Sequence, residues 1–385
     1  MTPTSTPTAS GSGTPTATPT ALATPTATAR PSASPTGTAS GSPAASPSPS
    51  PSATASASPS PSPSPTRSPS PSPSPSPSPA PAADLVYLPV GSGGSGDAIE
   101  VVRYTPSTQQ FALAGGISGS STNLTGHDPN GVAVDETGNI YVSTSGSSGT
   151  GFVYEYAAGS GSSSIANVAP IRTITTTNSP YALWAAHGLV YVDESSGGGT
   201  GPGVTQIFSA VSNSTPALTI TAGGVANSSI TNVISDAAGN IYVSNIGNYQ
   251  NVYPSNNPTI YIYNALGVQI GTITNSDFET FGMAFDAAGN LYANNYYGTA
   301  APPLHCCSLA EYPAGSLLTN PAPAERFSGT QAGAGAAIAI DTLGNLFTTA
   351  SSLQVYAPGF GPSASANATI GVGDGTYTLA VYPHP

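Results

Sequence analysis

Asp135-Glu-Thr-Gly-Asn-Ile-Tyr141 is one of four copies of a seven-residue phrase that decides the fold of this chain. The other copies are Asp236–Tyr242, Asp286–Tyr292 and Asp341–Phe347. An Asp side chain can hydrogen-bond the backbone two residues on, and Gly and Asn tolerate positive φ. Short apolar runs such as Gly131–Val134 precede the phrase, and a run such as Ile-Tyr-Val follows it. Each copy therefore predicts a hairpin turn between two strands.

Two weaker copies complete a series of six. Tyr181–Val192 keeps both strands and a Gly turn but has lost the Asp, and the sixth copy is split between Leu85–Val90 and Tyr377–Tyr382. Aromatic residues recur about every 50 residues on the strand after the turn. They are Tyr87, Tyr141, Tyr191, Tyr242, Tyr292 and Phe347. A second aromatic series marks the next strand, and it consists of Tyr104, Tyr156, Phe208, Tyr263, Tyr312 and Tyr356.

Several units end in a Thr/Ile-rich run such as Ile171–Thr175, which predicts a fourth strand. Four-stranded units repeated at this period are typical of a β-propeller. We therefore predict an all-β, six-bladed propeller over residues 84–385 with four antiparallel strands per blade. The C-terminal strand is expected to pair into the first blade, which closes the ring and removes two free sheet edges.

The stretch Pro129–Val142 and its copies resemble bacterial NHL-type six-bladed propellers. The resemblance covers essentially all of residues 84–385 and implies the fold. Propellers of this kind include lactonases, lyases, RNA binders and adhesive or scaffolding modules. The resemblance therefore implies no single activity, because one fold carries many functions.

Residues 1–83 consist almost entirely of Pro, Ser, Thr, Ala and Gly. Such a segment has little apolar surface to offset the entropy of ordering, so we predict a disordered linker or stalk. Its prolines favour the extended polyproline II conformation. The composition suits an O-glycosylated stalk, and an unmodified linker is the alternative.

The charge balance restricts the partners. The chain contains no Lys, and residues 84–385 carry three arginines against all 17 acidic residues. Phosphate-binding surfaces need clustered Lys or Arg, so nucleic acid and anionic membranes are disfavoured. No stretch is long and apolar enough to predict a transmembrane helix. We expect an extracellular or cell-envelope protein whose signal or anchor lies upstream of Met1, with a cytoplasmic protein as the alternative.

The two cysteines, Cys306 and Cys307, are adjacent. Adjacent Cα atoms are closer than most disulfides require, so the pair predicts either a strained vicinal disulfide or two reduced thiols. With His305 they offer three metal ligands, but no partner motif accompanies them.

Long connections tend to carry function, and in this fold they are expected on the face opposite the Asp turns. Residues 245–258 and 294–298 are rich in Asn and Tyr and carry no charge. Amides and Tyr rings suit a neutral polyhydroxy ligand such as a glycan, although Asn and Gly are also ordinary turn residues. The candidate binding residues are His127, Asp128, Asn130, Asp193, Glu194, Asn245, Tyr249, Tyr253, Asn294, Asn295, Tyr296 and Tyr297.

An enzymatic alternative places a divalent cation such as calcium at the mouth of the central channel. The resemblance to lactonase propellers implies Glu, Asn and Asp ligands, and the candidates are Asp128, Asn130, Asp193, Glu194, Asn232, Asn245 and Asn294. His127 is the candidate base, and with Glu279 it approximates the pair of a lyase-type propeller. No residue-by-residue match to a lactonase site results, and no catalytic residue is assigned.

We therefore predict a non-catalytic binding or scaffold propeller without a cofactor, whose long connections contact a glycan or protein. The alternatives are a metal-dependent lactonase or lyase, and a surface component that associates with copies of itself. The four turn aspartates are predicted to be structural because each repeats with its turn.

Overall fold

A computed structural model of the chain describes much of the predicted domain. The described residues are 83–91, 97–145, 150–194, 203–222, 230–246, 259–274, 279–297, 308–328, 337–349, 352–361, 364–372 and 378–385. The predicted stalk, residues 1–83, lies outside this part of the chain except for its last residue. The structure describes the backbone but not the side chains at Glu279, Asn295–Tyr297, Ser308 and Glu325–Ser328.

Six sheets form the six predicted blades. From the innermost to the outermost strand, blade 1 consists of β25 (Ala380–Tyr382), β1 (Asp84–Val90), β2 (Ala98–Thr105) and β3 (Gln110–Ile117). Blade 2 consists of β4 (Pro129–Val134), β5 (Ile140–Ser145), β6 (Gly151–Tyr156) and β8 (Arg172–Thr176). Blade 3 consists of β9 (Pro180–Ala186), β10 (Leu189–Glu194), β11 (Val204–Ser209) and β12 (Leu218–Thr221).

The remaining blades repeat this order. Blade 4 consists of β13 (Ile230–Ser235), β14 (Ile241–Asn245), β15 (Thr259–Tyr263) and β16 (Gln269–Thr274). Blade 5 consists of β17 (Glu279–Phe285), β18 (Leu291–Tyr297), β19 (Ser308–Tyr312) and β20 (Glu325–Ser328). Blade 6 consists of β21 (Ala337–Ile340), β22 (Leu346–Thr349), β23 (Ser352–Tyr356) and β24 (Ala368–Gly371). A 3-10 turn lies at Leu317–Thr319, and the described residues include no helix that could cross a membrane.

The ring closes as predicted. In antiparallel pairing, Leu85, Val86 and Tyr87 of β1 lie opposite Tyr382, Val381 and Ala380 of β25. The C-terminal strand therefore completes the sheet that the first strand begins. The four strands of each blade pair antiparallel with their neighbours, which confirms the predicted architecture.

Blade 1 gains a fifth strand that the sequence pattern does not predict. The short strand β7 (Ile165–Ala166), from the connection between β6 and β8 of blade 2, pairs in parallel with the outer edge of β3. A Cβ atom on Gly115 of β3 would come within 2.4 Å of the Gly161 carbonyl oxygen, so glycine permits this close approach. The added strand covers backbone groups that an edge strand would otherwise expose.

Buried side chains fill the spaces between neighbouring blades. The aromatic series on the third strands is buried in every blade, with exposed fractions of at most 5%. One cluster joins Tyr141 and Val153 of blade 2 to Leu183, Val192 and Phe208 of blade 3. Because second strands are covered on both sides, they consist of nearly continuous buried residues.

The Asp-x-x-Gly-Asn phrase forms the same hydrogen-bonded turn in four blades. In blade 4, Asp236 Oδ1 accepts hydrogen bonds from the backbone N–H groups of Ala238 at 2.9 Å and Asn240 at 2.8 Å. Its Oδ2 accepts from Asn240 Nδ2 at 2.8 Å and from the Tyr242 hydroxyl at 3.2 Å. Gly239 adopts φ +79°, which a residue with a side chain rarely does. The carboxylate therefore organises the turn, as predicted.

In blade 2, the corresponding carboxylate is that of Asp135, and its hydrogen bonds affect its ionisation. Burial there favours the neutral form of Asp135, but hydrogen bonds from Thr137, Asn139 and Tyr141 outweigh it and lower the pKa of Asp135. The charged form is the one that accepts these bonds.

Blade 6 departs from this pattern, because Phe347 replaces the tyrosine and has no hydroxyl to donate. The turn carboxyl, Asp341, instead shares a side-chain hydrogen bond with Asp84 at the start of β1 in blade 1. Both residues are buried. Burial, the charge of Asp341 and this hydrogen bond raise the pKa of Asp84 to about 7. The junction between the last and first blades therefore brings two buried carboxyls together, and this environment favours the neutral form of Asp84.

Candidate functional site

The two ends of the propeller differ in the length of their connections. We call the end that carries the Asp-x-x-Gly-Asn turns the turn face, and the opposite end the long-connection face. On the long-connection face, residues 195–203 join β10 to β11, residues 246–258 join β14 to β15, and residues 298–307 join β18 to β19. The antiparallel order places these connections opposite the turns, as the sequence predicts.

Several candidate residues lie in strands and not in the predicted connections. Asp193 and Glu194 end β10, Asn245 ends β14, and Asn130 lies in β4. Asn294, Asn295, Tyr296 and Tyr297 belong to β18. The prediction of loop positions for Asp193, Glu194, Asn245 and Asn294–Tyr297 was wrong because second strands continue past their apolar run. The polar ends of β10 and β14 are buried against neighbouring elements, which local periodicity does not reveal.

Asn130 joins two blades. Its Nδ2 donates to the Pro180 carbonyl oxygen of blade 3 at 3.1 Å and to Ser145 Oγ at 2.7 Å. Its own carbonyl oxygen accepts a hydrogen bond from Thr378 Oγ1, just before β25, at 2.9 Å. Thr231 Oγ1 likewise donates to the Thr280 carbonyl oxygen of blade 5 at 2.6 Å. These bonds link the inner strands of successive blades, so Asn130 contributes to the ring itself.

Glu194 is fully buried and holds the connection between β8 and β9. Its carboxylate accepts hydrogen bonds from Thr177 Oγ1 at 2.6 Å, from the Asn178 backbone N–H at 3.0 Å and from Asn178 Nδ2 at 3.0 Å. The Thr177 backbone N–H donates at 3.3 Å. A carboxylate with this many internal donors has little capacity left for a ligand.

Glu194→Gln is expected to lower the free energy of unfolding by about 1 kcal/mol, because an amide cannot accept all four bonds. Denaturant unfolding monitored by circular dichroism measures the change. Glu136→Gln is the matched control, since exposed Glu136 accepts one bond, from the His187 N–H at 2.5 Å, and an amide oxygen can keep it. Equal stability of Glu194→Gln and the parent chain would contradict a structural role for Glu194.

Asp193 is completely buried next to Glu194. Its Oδ1 accepts a hydrogen bond from Thr205 Oγ1 at 2.5 Å, while Oδ2 is buried and has no partner among the described residues. Burial raises the pKa of Asp193 to about 8, against the opposing effect of the Thr205 hydrogen bond.

Asn294 and Asn245 also bond within the domain. Asn294 Oδ1 accepts the backbone N–H of Gly282 at 2.5 Å, at a point where the register of β17 and β18 shifts. The side chain therefore satisfies a donor that the bulge removes from the ladder. Asn245 Nδ2 donates to the Ala222 carbonyl oxygen at 3.5 Å.

The remaining candidates lie in the connection between β3 and β4, along the channel or outside the described residues. His127 and Asp128 lie between β3 and β4, where Asp128 is exposed and the His127 N–H donates to the Leu124 carbonyl oxygen at 2.9 Å. Asn232 lies on β13 and lines the central channel. Tyr249, Tyr253, Cys306 and Cys307 lie outside the described residues. Among the described side chains, no three His, Cys, Asp or Glu residues converge on a point that could hold a metal ion.

Comparison with known proteins supports the fold. No protein-family model matches the chain, and no curated protein matches it. Solved structures share the architecture, including a chain of a nidogen/laminin complex with TM-score 0.51, 13% identity, and coverage of 78% of this chain and 98% of that one. A protein of unknown function from Bacteroides caccae has TM-score 0.51 and 12% identity, covering 78% and 99% of the two chains.

A putative 6-phosphogluconolactonase from Bacteroides fragilis has TM-score 0.51 and 12% identity, covering 80% of this chain and 99% of its own. Similarity at this level of identity establishes the propeller and nothing about chemistry.

Proposed function

We propose that residues 84–385 form a non-catalytic, NHL-type binding module that acts outside the cell or at its surface, and that a neutral glycan binds to its long-connection face. The observation that carries this proposal is the internal use of the candidate polar groups. Asn130, Glu194 and Asn294 all bond within the domain. The Glu194 carboxylate of β10, a candidate ligand for a metal in the lactonase alternative, is therefore engaged within the domain, which favours binding over metal catalysis.

The composition of the long connections supports a neutral ligand. Residues 246–258 contain Tyr249 and Tyr253 among several asparagines and no charged residue. Tyr rings offer flat apolar faces, and amides offer both donors and acceptors to hydroxyl groups. The acidic balance of the domain disfavours an anionic ligand such as a nucleic acid or a phosphorylated sugar.

Tyr249→Ala and Tyr253→Ala are expected to lower glycan affinity by about tenfold or more, since each removes a ring that would stack on a sugar. A glycan array probed with the fluorescently labelled chain identifies the ligand, and calorimetry with that glycan measures the loss. Leu266→Ala is the control, because Leu266 lies in the turn between β15 and β16 and is 81% exposed. Silence across the array, or equal binding by the Tyr variants, would refute the glycan proposal.

A further inference from the structure

On the turn face, the connection between the third and fourth strands of one blade can pack against the preceding blade. In blade 5, this connection follows β19, and its buried Leu317 joins the core cluster that contains Tyr242 of blade 4. In blade 6, the connection after β23 places Phe360 6.0 Å from the Tyr292 ring of blade 5, centroid to centroid. An apolar side chain from the next blade therefore fills each of these two junctions.

The corresponding junction between blades 3 and 4 instead contains a cavity of about 360 Å³. Tyr191, the counterpart of Tyr242 on the second strand, lines it together with Ile207. The connection in blade 4, residues 264–268, is shorter than its counterparts in blades 5 and 6 and contributes only Ala265 to the lining. The repeat itself therefore indicates the occupant that this cavity suits, which is an apolar side chain presented by a turn.

The chemistry of the lining agrees with this occupant. Leu189 and Leu218 contribute aliphatic walls, and Ala237 lies on the side of blade 4. The Nε2 atom of His187, which also lines the cavity, lies 3.0 Å from the Asp236 carbonyl oxygen. Among the described residues that line the cavity there is no carboxylate and no guanidinium, so the cavity favours an apolar group over an ion.

A matching side chain lies beside the cavity. Leu266, the residue after Ala265, is 81% exposed, so it does not fill the cavity of its own chain. Val268 of the same turn is 57% exposed, and Leu318 of blade 5 extends the apolar surface where it packs over Gly271. A protruding apolar turn and an apolar cavity therefore belong to one surface. An isologous two-fold contact requires this arrangement, because each copy then supplies one of each.

The charge distribution favours a second copy as the partner. Residues 84–385 carry three arginines against 17 acidic residues, so two copies repel each other over most of their surface. Residues 195–235 and 237–274, which include the outer strands of blades 3 and 4, contain no charged residue. Repulsion is therefore weakest where this surface meets its own copy. The acidic balance disfavours an anionic membrane as the partner.

We propose that two copies of the chain associate through this surface, with Leu266 of each copy seated in the cavity between blades 3 and 4 of the other. Leu266 takes there the place that Leu317 takes between blades 4 and 5. The contact is at the opposite end of the propeller from the proposed glycan face, so failure of either proposal leaves the other intact.

Sedimentation equilibrium of the full chain tests the proposal, because it reports mass independently of shape. The surface is small, so we expect a dimer that dissociates at micromolar concentrations. The weight-average mass should rise from that of one chain towards twice that value between about 1 and 300 μM.

Two variants test the two halves of the contact. Leu266→Glu is expected to raise the dissociation constant about tenfold or more, since it places a carboxylate in an apolar cavity. Ala265→Phe is expected to have the same effect without a charge, because the new ring occupies the cavity of its own chain. Leu113→Glu is the control, since Leu113 is 62% exposed on β3 of blade 1, outside the proposed surface. Circular dichroism checks that each variant folds.

Three results would overturn the proposal. One is a monomer at every concentration in this range. Another is a dimer that either Leu266→Glu or Ala265→Phe leaves intact, which would place the interface elsewhere. The third is binding of a monomeric parent chain to neutral phosphatidylcholine vesicles that Leu266→Glu abolishes, which would assign the surface to a lipid.

Discussion

Asp236→Ala is expected to lower the free energy of unfolding by about 3 kcal/mol or more, because one substitution disrupts a whole hydrogen-bonded turn. The change removes the acceptors for two backbone N–H groups, the Asn240 amide and the Tyr242 hydroxyl. Tyr242 is 2% exposed, so its hydroxyl would be left without a partner in a buried position. Denaturant unfolding measures the loss.

Asn264 supplies the matched control for this prediction. It lies in the turn between β15 and β16, where its Oδ1 accepts from the N–H groups of Leu266 and Val268 at 3.0 Å. Asn264 therefore makes the same two backbone bonds as Asp236 Oδ1, but it has no second oxygen to make the bonds that Asp236 Oδ2 accepts. Asn264→Ala should cost about 1 kcal/mol. If Asp236→Ala lowers the free energy of unfolding no more than Asn264→Ala does, the hydrogen bonds from Asn240 Nδ2 and the Tyr242 hydroxyl to Asp236 Oδ2 contribute nothing to stability.

Asp84→Asn is expected to stabilise the domain by about 2 kcal/mol or more at about pH 8, and to change little at about pH 4. The pKa of Asp84 is raised from 3.8 to about 7 in the folded chain, chiefly by burial and by the charge of Asp341. The folded state therefore binds this proton more tightly than the unfolded state. The stability that protonated Asp84 provides is complete below about pH 4 and is lost as the pH rises to about 7.

The amide introduced by Asp84→Asn would keep the donor that the protonated carboxyl provides, and it cannot ionise. Thermal unfolding across this pH range, for the parent chain and Asp84→Asn, measures the difference. Asp128→Asn is the control because Asp128 is an exposed carboxyl. A difference between Asp84→Asn and the parent chain that does not vary with pH would show that the two carboxyls do not share a proton.

The sequence predicts the fold well because the information is local and repeated. The turn aspartates, the spacing of Tyr141, Tyr191 and Tyr242, and the split sixth unit can all be read from short stretches of chain. The same reasoning fails at Glu194, whose partners Thr177 and Asn178 belong to another connection. A buried polar residue at the end of a strand has the same local pattern whether it binds a ligand or a neighbouring blade.

The cavity of about 550 Å³ in the central channel, at the turn face, could not be predicted from local patterns. Its lining comes from the inner strands of six blades and from residues that follow β25, so no single motif marks it. Loop length and composition instead favour the long-connection face.

The pairing of β25 with β1 determines the order in which the ring can form during synthesis. Among the strands that the structure describes, β1 leaves the ribosome first and its inner partner, β25, leaves last. Until then, Val86 and Leu88 lack Leu379 and Val381, with which they share a core cluster. Each of blades 2 to 6 consists of consecutive strands and can form as it is synthesised. In blade 1, the inner edge of β1 stays unpaired until β25 is available. A nascent chain of this kind is exposed to wrong strand pairing from the synthesis of β1 until that of β25.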